Sequence, residues 1–175
     1  MYVQIIDDGT NSYDSDDKAE RIKEAVHSVD PEIPCEVVFR DGRDEKVIRV
    51  QCFGEFEAFG ADKKPLNFKR ARTKELFAVL VCNRGSMLSM GTIMSILWED
   101  GEDSDSDRSY LRTMISDLKK TLSAVGADDV VIKKYNSIGI NPGKIECDYY
   151  DFLEGKPEAV EKYNGQFMKQ YAWSE

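Results

Sequence analysis

The stretch DRSYLRTMISDLKKTL, residues 107–122, predicts a helix with one apolar and one basic face. When each residue advances about 100° around the axis, the apolar side chains form one stripe, made of Leu111, Met114, Ile115, Leu118, Leu122 and Val125. Basic and hydroxyl side chains fill the arc from about 80° to 200°, and these are Ser109, Arg112, Thr113, Ser116, Lys119 and Lys120. Such a helix fits the major groove of DNA, where Arg and Lys reach guanine edges or phosphates. An ordinary solvated helix has the same pattern, so the helix alone leaves both interpretations open.

Asp117 flanks this basic arc, at about 240° from Leu111. At that position we expect its carboxylate to repel phosphate. Arg112, Ser116 and Lys119 are therefore the stronger candidates for DNA contact, and contact by Lys120 is more conditional.

The composition predicts a folded α+β protein. The 175 residues are 41% hydrophobic, which is enough for a real core. No apolar run approaches the roughly 20 residues that a membrane span needs. The opening residues MYVQIIDDG turn acidic at once and do not resemble a signal peptide. We therefore expect a cytoplasmic protein that has no membrane partner.

The residues that usually carry enzyme or metal chemistry are sparse. The four cysteines, Cys35, Cys52, Cys82 and Cys147, fit no zinc-binding spacing and are expected to be reduced structural thiols. The single histidine, His27, lies in a helical pattern without a neighbouring metal ligand. No phosphate-binding loop, dinucleotide fingerprint or nucleophile motif is present. The sequence thus predicts no catalytic residues, no metal, no cofactor and no enzyme activity.

The net charge of -9 is unevenly distributed along the chain. Residues 1–50 contain 13 acidic and 7 basic residues, whereas residues 51–100 contain 6 acidic and 7 basic ones. Most of the acidity thus lies at the N-terminus, and the middle of the chain is close to neutral. A local basic face is compatible with an acidic protein for this reason.

The order of predicted elements indicates a winged helix-turn-helix preceded by a small sheet. Residues 1–45 predict a βαβ-like appendage with a strand at 2–6, a helix at 16–29 and a strand in CEVVFRDG. Residues 46–68 predict an antiparallel sheet that includes LNF as a short strand. Three helices are expected at 73–83, 90–98 and 107–125, followed by a hairpin over 130–141 that turns near Asn136-Ser137.

The helix ends and domain limits follow from local signals. Thr73 and Ser89 are the expected N-caps of the first two helices, and Asp105 or Asp107 that of the third. SMLS is an extended link, and residues 148–174 predict two short helices broken near Gly155-Lys156-Pro157. The expected domains are an acidic appendage (1–45), a winged-helix domain (46–147) and a helical C-terminal extension (148–175).

Several motifs resemble a known family. FGEFEAFGADKKPLNFKRARTKELFAVLV, followed by LW, LRTMISDLKKTL and CDYYDFLEG, resembles the OmpR/PhoB-type winged-helix effector domain. The version in SARP-type (AfsR-like) transcriptional regulators and related response regulators is the most similar. The resemblance covers about residues 48–148. FLEGKPEAVEKYNGQFMKQYAWSE resembles the first helices of the bacterial transcriptional activation domain, here truncated.

The resemblance implies that helix 107–125 docks in the major groove of double-stranded promoter DNA. By motif match it implies contacts from Arg112, Ser116, Lys119 and Lys120. It also implies that the loop 98–107 meets RNA polymerase and that the protein forms a homodimer. The N-terminus lacks a complete receiver domain, and Asp41 comes too early for its phosphoacceptor, so phosphorylation control is not expected.

Two functional hypotheses follow, both without catalysis. The first is a sequence-specific DNA-binding transcription regulator whose hairpin 130–141 acts as a wing. Lys133 or Lys134 would then contact phosphate or the minor groove, although the hairpin lacks the Gly-x-Gly-Tyr turn of many family wings. The alternative is a protein-interaction module in which the acidic N-terminal segment docks a partner or masks the basic helix.

A second basic cluster precedes the first predicted helix. It consists of Lys69, Arg70, Arg72 and Lys74. These residues either contact the DNA backbone or balance neighbouring acidic side chains, and the sequence leaves both alternatives open.

Overall fold

The chain contains two compact units, residues 1–45 and 46–175. The computed structural model describes residues 3–7, 24–25, 27–28, 35–39, 47–98 and 104–174. In the first unit, β1 (Val3–Asp7) pairs in parallel with β2 (Cys35–Phe39). Residues 24–25 and 27–28 have helical backbone, and the rest of the helix predicted at 16–29 lies outside the described residues. A parallel pair needs a crossover connection, so the predicted βαβ-like arrangement agrees with the observed pairing.

The second unit contains two small sheets and five α-helices among its described residues. In chain order these elements are β3 (Ile48–Gln51), β4 (Glu57–Gly60), α1 (Ala71–Cys82), β5 (Leu88–Ser89), α2 (Met90–Leu97), α3 (Asp105–Ser123), β6 (Val131–Lys134), β7 (Ser137–Ile140), a 3-10 turn (Pro142–Lys144), β8 (Ile145–Cys147), α4 (Asp148–Leu153), α5 (Pro157–Lys162) and a second 3-10 turn (Ala172–Ser174). None of the helices in the described part of the chain is long and apolar enough to cross a membrane.

The first sheet of this unit has the strand order β4-β3-β8. β3 and β4 are antiparallel, as predicted, but β8 adds a parallel strand from the far side of the hairpin. The prediction of a strand in LNF is wrong, because the pairing after β4 is limited to an isolated bridge between Phe59 and Pro65. Proline has no N–H to continue the ladder. β8 escaped prediction because a three-residue strand has no periodicity of its own.

The helix α1 forms the centre of the core. Residues 76–81 on this helix are all buried, which confirms the prediction from its continuous apolar run. The N-cap prediction is wrong: α1 begins at Ala71, Arg70 holds the cap position without a side-chain cap bond, and Thr73 is buried in the first turn. Ser89 caps α2 as predicted, since its Oγ accepts a hydrogen bond from the Thr92 N–H at 3.0 Å.

The start of α3 is fixed by Ser104 rather than by Asp105 or Asp107. Ser104 Oγ accepts a hydrogen bond from the Asp107 N–H at 3.1 Å and donates one to Asp107 Oδ2 at 2.6 Å. The hydroxyl of Ser104 thus satisfies a free N–H of the first turn, and the Asp107 carboxylate holds that hydroxyl in place. The helix ends at Ser123, earlier than predicted, and the turn at Gly126 has a φ of +72°. Val125 therefore leaves the predicted apolar stripe and is 38% exposed.

The second sheet forms the wing and has the strand order β5-β7-β6. β6 and β7 form the predicted hairpin, with a two-residue turn at Tyr135-Asn136 in which Asn136 has a φ of +53°. Asparagine tolerates this left-handed conformation. The SMLS segment is more than a link, because its residues 88–89 form β5 and pair with β7.

The C-terminal segment packs onto the same unit. α4 and α5 fit the two predicted short helices, and the break between them contains Gly155 with a φ of +73°. Residues 163–171 are not helical, and instead Met168 donates its N–H to the carbonyl of Cys52 at 2.8 Å. Met168 is fully buried, so this segment contributes to the core.

The described core cysteines are free thiols, as predicted. The sulfurs of Cys52 and Cys147 lie 3.5 Å apart in the interior. Hydrogen bonding to Cys147 and burial raise the pKa of Cys52, and burial raises the pKa of Cys82 to about 12. Thiols in such surroundings stay protonated and unreactive at neutral pH.

Candidate nucleic-acid interface

The helix α3 is anchored by its apolar stripe. Its buried side chains face α1 and α2, and their exposed fractions are at most 3%: Leu111, Met114, Ile115, Leu118 and Leu122. Burial of a Leu or Ile side chain contributes about 1.5–3 kcal/mol. The stripe therefore holds α3 firmly and leaves its opposite face in solvent.

That opposite face contains the predicted contact residues. All six of them, Ser109, Arg112, Thr113, Ser116, Lys119 and Lys120, are exposed on this one helix. The Thr113 hydroxyl donates to the carbonyl of Ser109 at 3.1 Å, which leaves its oxygen free to accept. We call this surface the basic face.

Three cations lie on the basic face: Arg112, Lys119 and Lys120. Among the described residues, no ion pair engages Arg112, Lys119 or Lys120. Unpaired cations on a rigid helix are suited to bind an anionic polymer, since their charge is not already neutralised.

Asp117 does not lie on the rim of this face, and the prediction that it repels phosphate is wrong. The residue is only 8% exposed, and its carboxylate forms an ion pair with the Arg70 guanidinium. The helical wheel placed Asp117 outside the apolar stripe, but α1 covers this flank of α3 as well. Periodicity within one helix gives no information about a second helix that packs against its polar edge.

The second basic cluster mostly balances acidic side chains. Arg70 pairs with Asp117, Arg72 NH1 lies 2.8 Å from Glu75 Oε2, and Lys74 Nζ lies 2.7 Å from Glu57 Oε1. Arg72 also donates to the carbonyl of Leu97 at 3.0 Å and stacks over Trp98 with 5.6 Å to the ring centroid. Of the two alternatives that the sequence left open, the structure favours charge balance for these three residues.

The wing holds the remaining predicted residues on a separate element. Lys133 and Lys134 are exposed on β6, opposite Ile138 and Ser137 of β7. Neighbouring residues of a strand point to opposite faces, so the two lysines do not share one contact surface. Sequence reasoning missed Tyr135, which stands fully exposed at the tip of the turn. An aromatic residue in a two-residue hairpin turn was the signal for it.

One group of potential metal ligands occurs in the described residues, and it is already engaged. Donor atoms of Cys52, Cys147 and Asp148 lie within 4.8 Å of one another. The Asp148 carboxylate accepts backbone N–H groups from Cys52 at 2.7 Å, Phe53 at 3.1 Å and Tyr149 at 2.8 Å. These bonds use the carboxylate to join β3 to the start of α4, so the group has a sufficient structural role.

Comparison with known proteins identifies the region that contains these elements. Residues 67–140 match the model of a family described as "Transcriptional regulatory protein, C terminal". The matched segment extends from the approach to α1 to the end of the wing. This segment is similar to the OmpR/PhoB-type winged-helix effector domain. This result confirms the resemblance inferred from the sequence, together with the α+β winged-helix fold.

A solved structure of a SARP-type regulator has a similar fold. The chain matches Mycobacterium tuberculosis EmbR in complex with a low affinity phosphopeptide, with a TM-score of 0.59 and 18% sequence identity. The similarity covers 72% of this chain and 38% of the EmbR chain. At this identity the likeness concerns the fold, and the phosphopeptide is a feature of EmbR. No curated protein sequence matches the chain.

Proposed function

We propose that the effector domain binds double-stranded promoter DNA sequence-specifically and regulates transcription. In this proposal α3 enters the major groove with its basic face toward the bases. Arg112 is suited to a bidentate contact with a guanine edge, and Lys119 and Lys120 to phosphate contacts. Ser109, Thr113 and Ser116 supply hydroxyl groups that accept or donate hydrogen bonds.

The observation that carries this proposal is the state of the charges on α3. Three exposed cations on one face have no acidic partner in the part of the chain that the structure describes, while the adjacent acid, Asp117, is buried and neutralised by Arg70. The matched family also supports DNA binding, since it comprises transcriptional regulatory proteins. Burial of Asp117 keeps its negative charge away from the exposed basic face, a condition that DNA binding requires and a merely solvated helix does not.

The wing extends the proposed contact beyond α3. At the hairpin tip, either Lys133 or Lys134 together with the exposed Tyr135 is suited to phosphate or to the minor groove. The same proposal includes three further points that the family resemblance suggests. Residues 98–107 contact RNA polymerase, the protein forms a homodimer, and it is located in the cytoplasm. Trp98, at the start of this segment, packs edge-to-face on Tyr110 with 6.2 Å between the ring centroids.

Selection of bound fragments from a genomic DNA pool by the full chain tests the proposal. We expect a recurrent sequence among the retained fragments, and affinity for it should fall with salt with a slope of about -0.9 per phosphate contacted. A scrambled duplex of the same composition is the control for non-specific binding. If no fragment is retained even at low salt, DNA binding by this chain is excluded.

A further inference from the structure

The ion pair between Arg70 and Asp117 joins the two helices that matter most for the orientation of the basic face. Arg70 precedes α1, the central helix of the core, and Asp117 lies on α3 between Ser116 and the buried Leu118. The Arg70 side chain is 34% exposed and that of Asp117 is 9% exposed. The charge of Asp117 is thus removed from solvent and depends on Arg70 for compensation.

A second contact holds the same flank of α3 two turns earlier. Tyr110 precedes Asp117 by seven residues, so the two lie on one side of the helix. Tyr110 packs against Trp98, and Trp98 carries the Arg72 guanidinium on its ring. Arg70 therefore supports the C-terminal part of this flank through Asp117. Arg72 supports its N-terminal part through Trp98 and Tyr110.

The apolar stripe and these polar contacts together fix the rotation of α3 about its axis. Close packing of the stripe resists large movements of the helix, and the ion pair adds a directional restraint on the polar flank beside the basic face. A rotation of about 20° moves a side chain at a radius of about 5–6 Å by about 2 Å. Hydrogen bonds to base edges tolerate only a few tenths of an ångström. A charged pair with defined partners restricts this rotation.

We propose that the Arg70–Asp117 ion pair is a positioning device for base recognition. It sets the rotation of α3 about its axis, and thereby which side chains of the basic face meet the base edges. Arg70 is then a positioning residue that acts through Asp117, not a DNA contact. This inference rests on the proposed DNA binding and adds to it the determinant of specificity.

The test replaces the pair by apolar side chains of similar size. The double substitution Arg70→Met with Asp117→Leu removes both charges, so the net charge of the protein is unchanged. Well-packed apolar replacements of ion pairs usually preserve folding. The matched control is Lys74→Met with Glu57→Leu, which removes an ion pair between α1 and β4 that does not involve α3. Thermal melting of each variant shows whether it is folded.

The measurement is the affinity for a duplex selected by the wild-type chain and for a scrambled duplex of the same composition, each over a range of salt. We expect the double variant to keep its non-specific affinity and salt slope. Its specific affinity should fall by about tenfold or more, within the range of specificity that protein–DNA contacts provide. The control variant should match the wild type in both affinities.

Two results would overturn the inference. An unchanged ratio of specific to non-specific affinity in the folded double variant would make the pair merely structural. A uniform loss on both duplexes with a smaller salt slope would make Arg70 a phosphate contact. If the double variant does not fold, Asp117→Asn serves instead, because it keeps the size of the side chain and removes only its charge. Failure of the wild-type chain to prefer any duplex would instead contradict the proposed function.

Discussion

The two basic clusters of the second unit look alike in sequence and differ in structure. In the second basic cluster, at the start of α1, three residues form ion pairs, with Asp117, Glu75 and Glu57 as partners. The three cations of the basic face, Arg112, Lys119 and Lys120, have no such partner among the described residues. The second basic cluster joins the start of α1 to α3 and to β4, whereas the cations of the basic face point to solvent. A count of positive charges along the chain does not distinguish these roles.

The largest effect is expected from removal of Arg70 in the second basic cluster. Arg70→Ala leaves the Asp117 carboxylate buried without a counterion. Loss of one partner of a buried pair costs about 3–5 kcal/mol, and we expect about 3 kcal/mol because Arg70 is partly exposed. Urea denaturation of wild type and variant at neutral pH measures the free energy of unfolding.

The matched control for this variant is Lys119→Ala, which removes an exposed cation that has no internal partner. We expect its unfolding free energy to stay within about 0.5 kcal/mol of wild type. Equal losses in Arg70→Ala and Lys119→Ala would contradict the distinction between the two clusters.

The ion-pair partners of the second basic cluster also show how much of the structure can be predicted from the sequence. The three core helices, the hairpin and the residues of the basic face are all predictable, because helical periodicity and turn chemistry are local. Glu75 lies one turn from Arg72 and could have been paired with it from the sequence. Asp117 and Glu57 are distant in the chain from Arg70 and Lys74, and only the packing of α1 against α3 and β4 brings these residues together.

The same reasoning explains the other errors. The strand β8 and the strand β5 are short, and each exists because a partner strand is present. Ser104 was overlooked as the cap of α3 because it is embedded in an acidic run in which Asp105 and Asp107 are equally acceptable capping residues. Long-range pairing and the choice between equivalent caps are the features that local patterns do not determine.

The next largest effect is expected at the centre of the basic face. Arg112→Ala should weaken binding to a selected duplex by about 1–3 kcal/mol if the guanidinium reads a base, and relax the preference at that base. Stability should not change, since Arg112 is exposed and unpaired. Fluorescence anisotropy with the selected duplex and with single-base variants of it provides the measurement.

Arg84→Ala is a suitable control for Arg112→Ala. Arg84 is also exposed, but it follows α1 and lies over the ring of Tyr150 at 5.2 Å, outside the basic face. We expect its affinity for DNA to equal that of wild type. A similar loss in both variants would indicate a general charge effect and not recognition by α3.

A smaller effect is expected on the salt dependence of DNA binding, and it should differ between Lys119 and the ion-paired Lys74. Lys119→Ala should reduce the salt slope of DNA binding by about 1 and weaken binding uniformly across sequences. Lys74→Ala removes the same charge from a residue that is already paired with Glu57, so its salt slope should equal that of wild type. Titration of both variants at several salt concentrations measures the slopes. Identical slopes for the two variants would show that Lys119 makes no phosphate contact.

The smallest effect is expected from deletion of residues 1–45, which contain 13 acidic and 5 basic residues. Residues 46–175 form a compact unit, so the shortened chain is suited to the comparison. Removal of this negative charge should strengthen DNA binding modestly at low salt. At physiological ionic strength the gain should vanish, because charges further apart than about 8 Å are largely screened. Direct masking of the basic face by the acidic segment makes a different prediction, since contacts at short range resist screening. A gain in affinity that persists at physiological salt would therefore support masking of the basic face by the acidic segment.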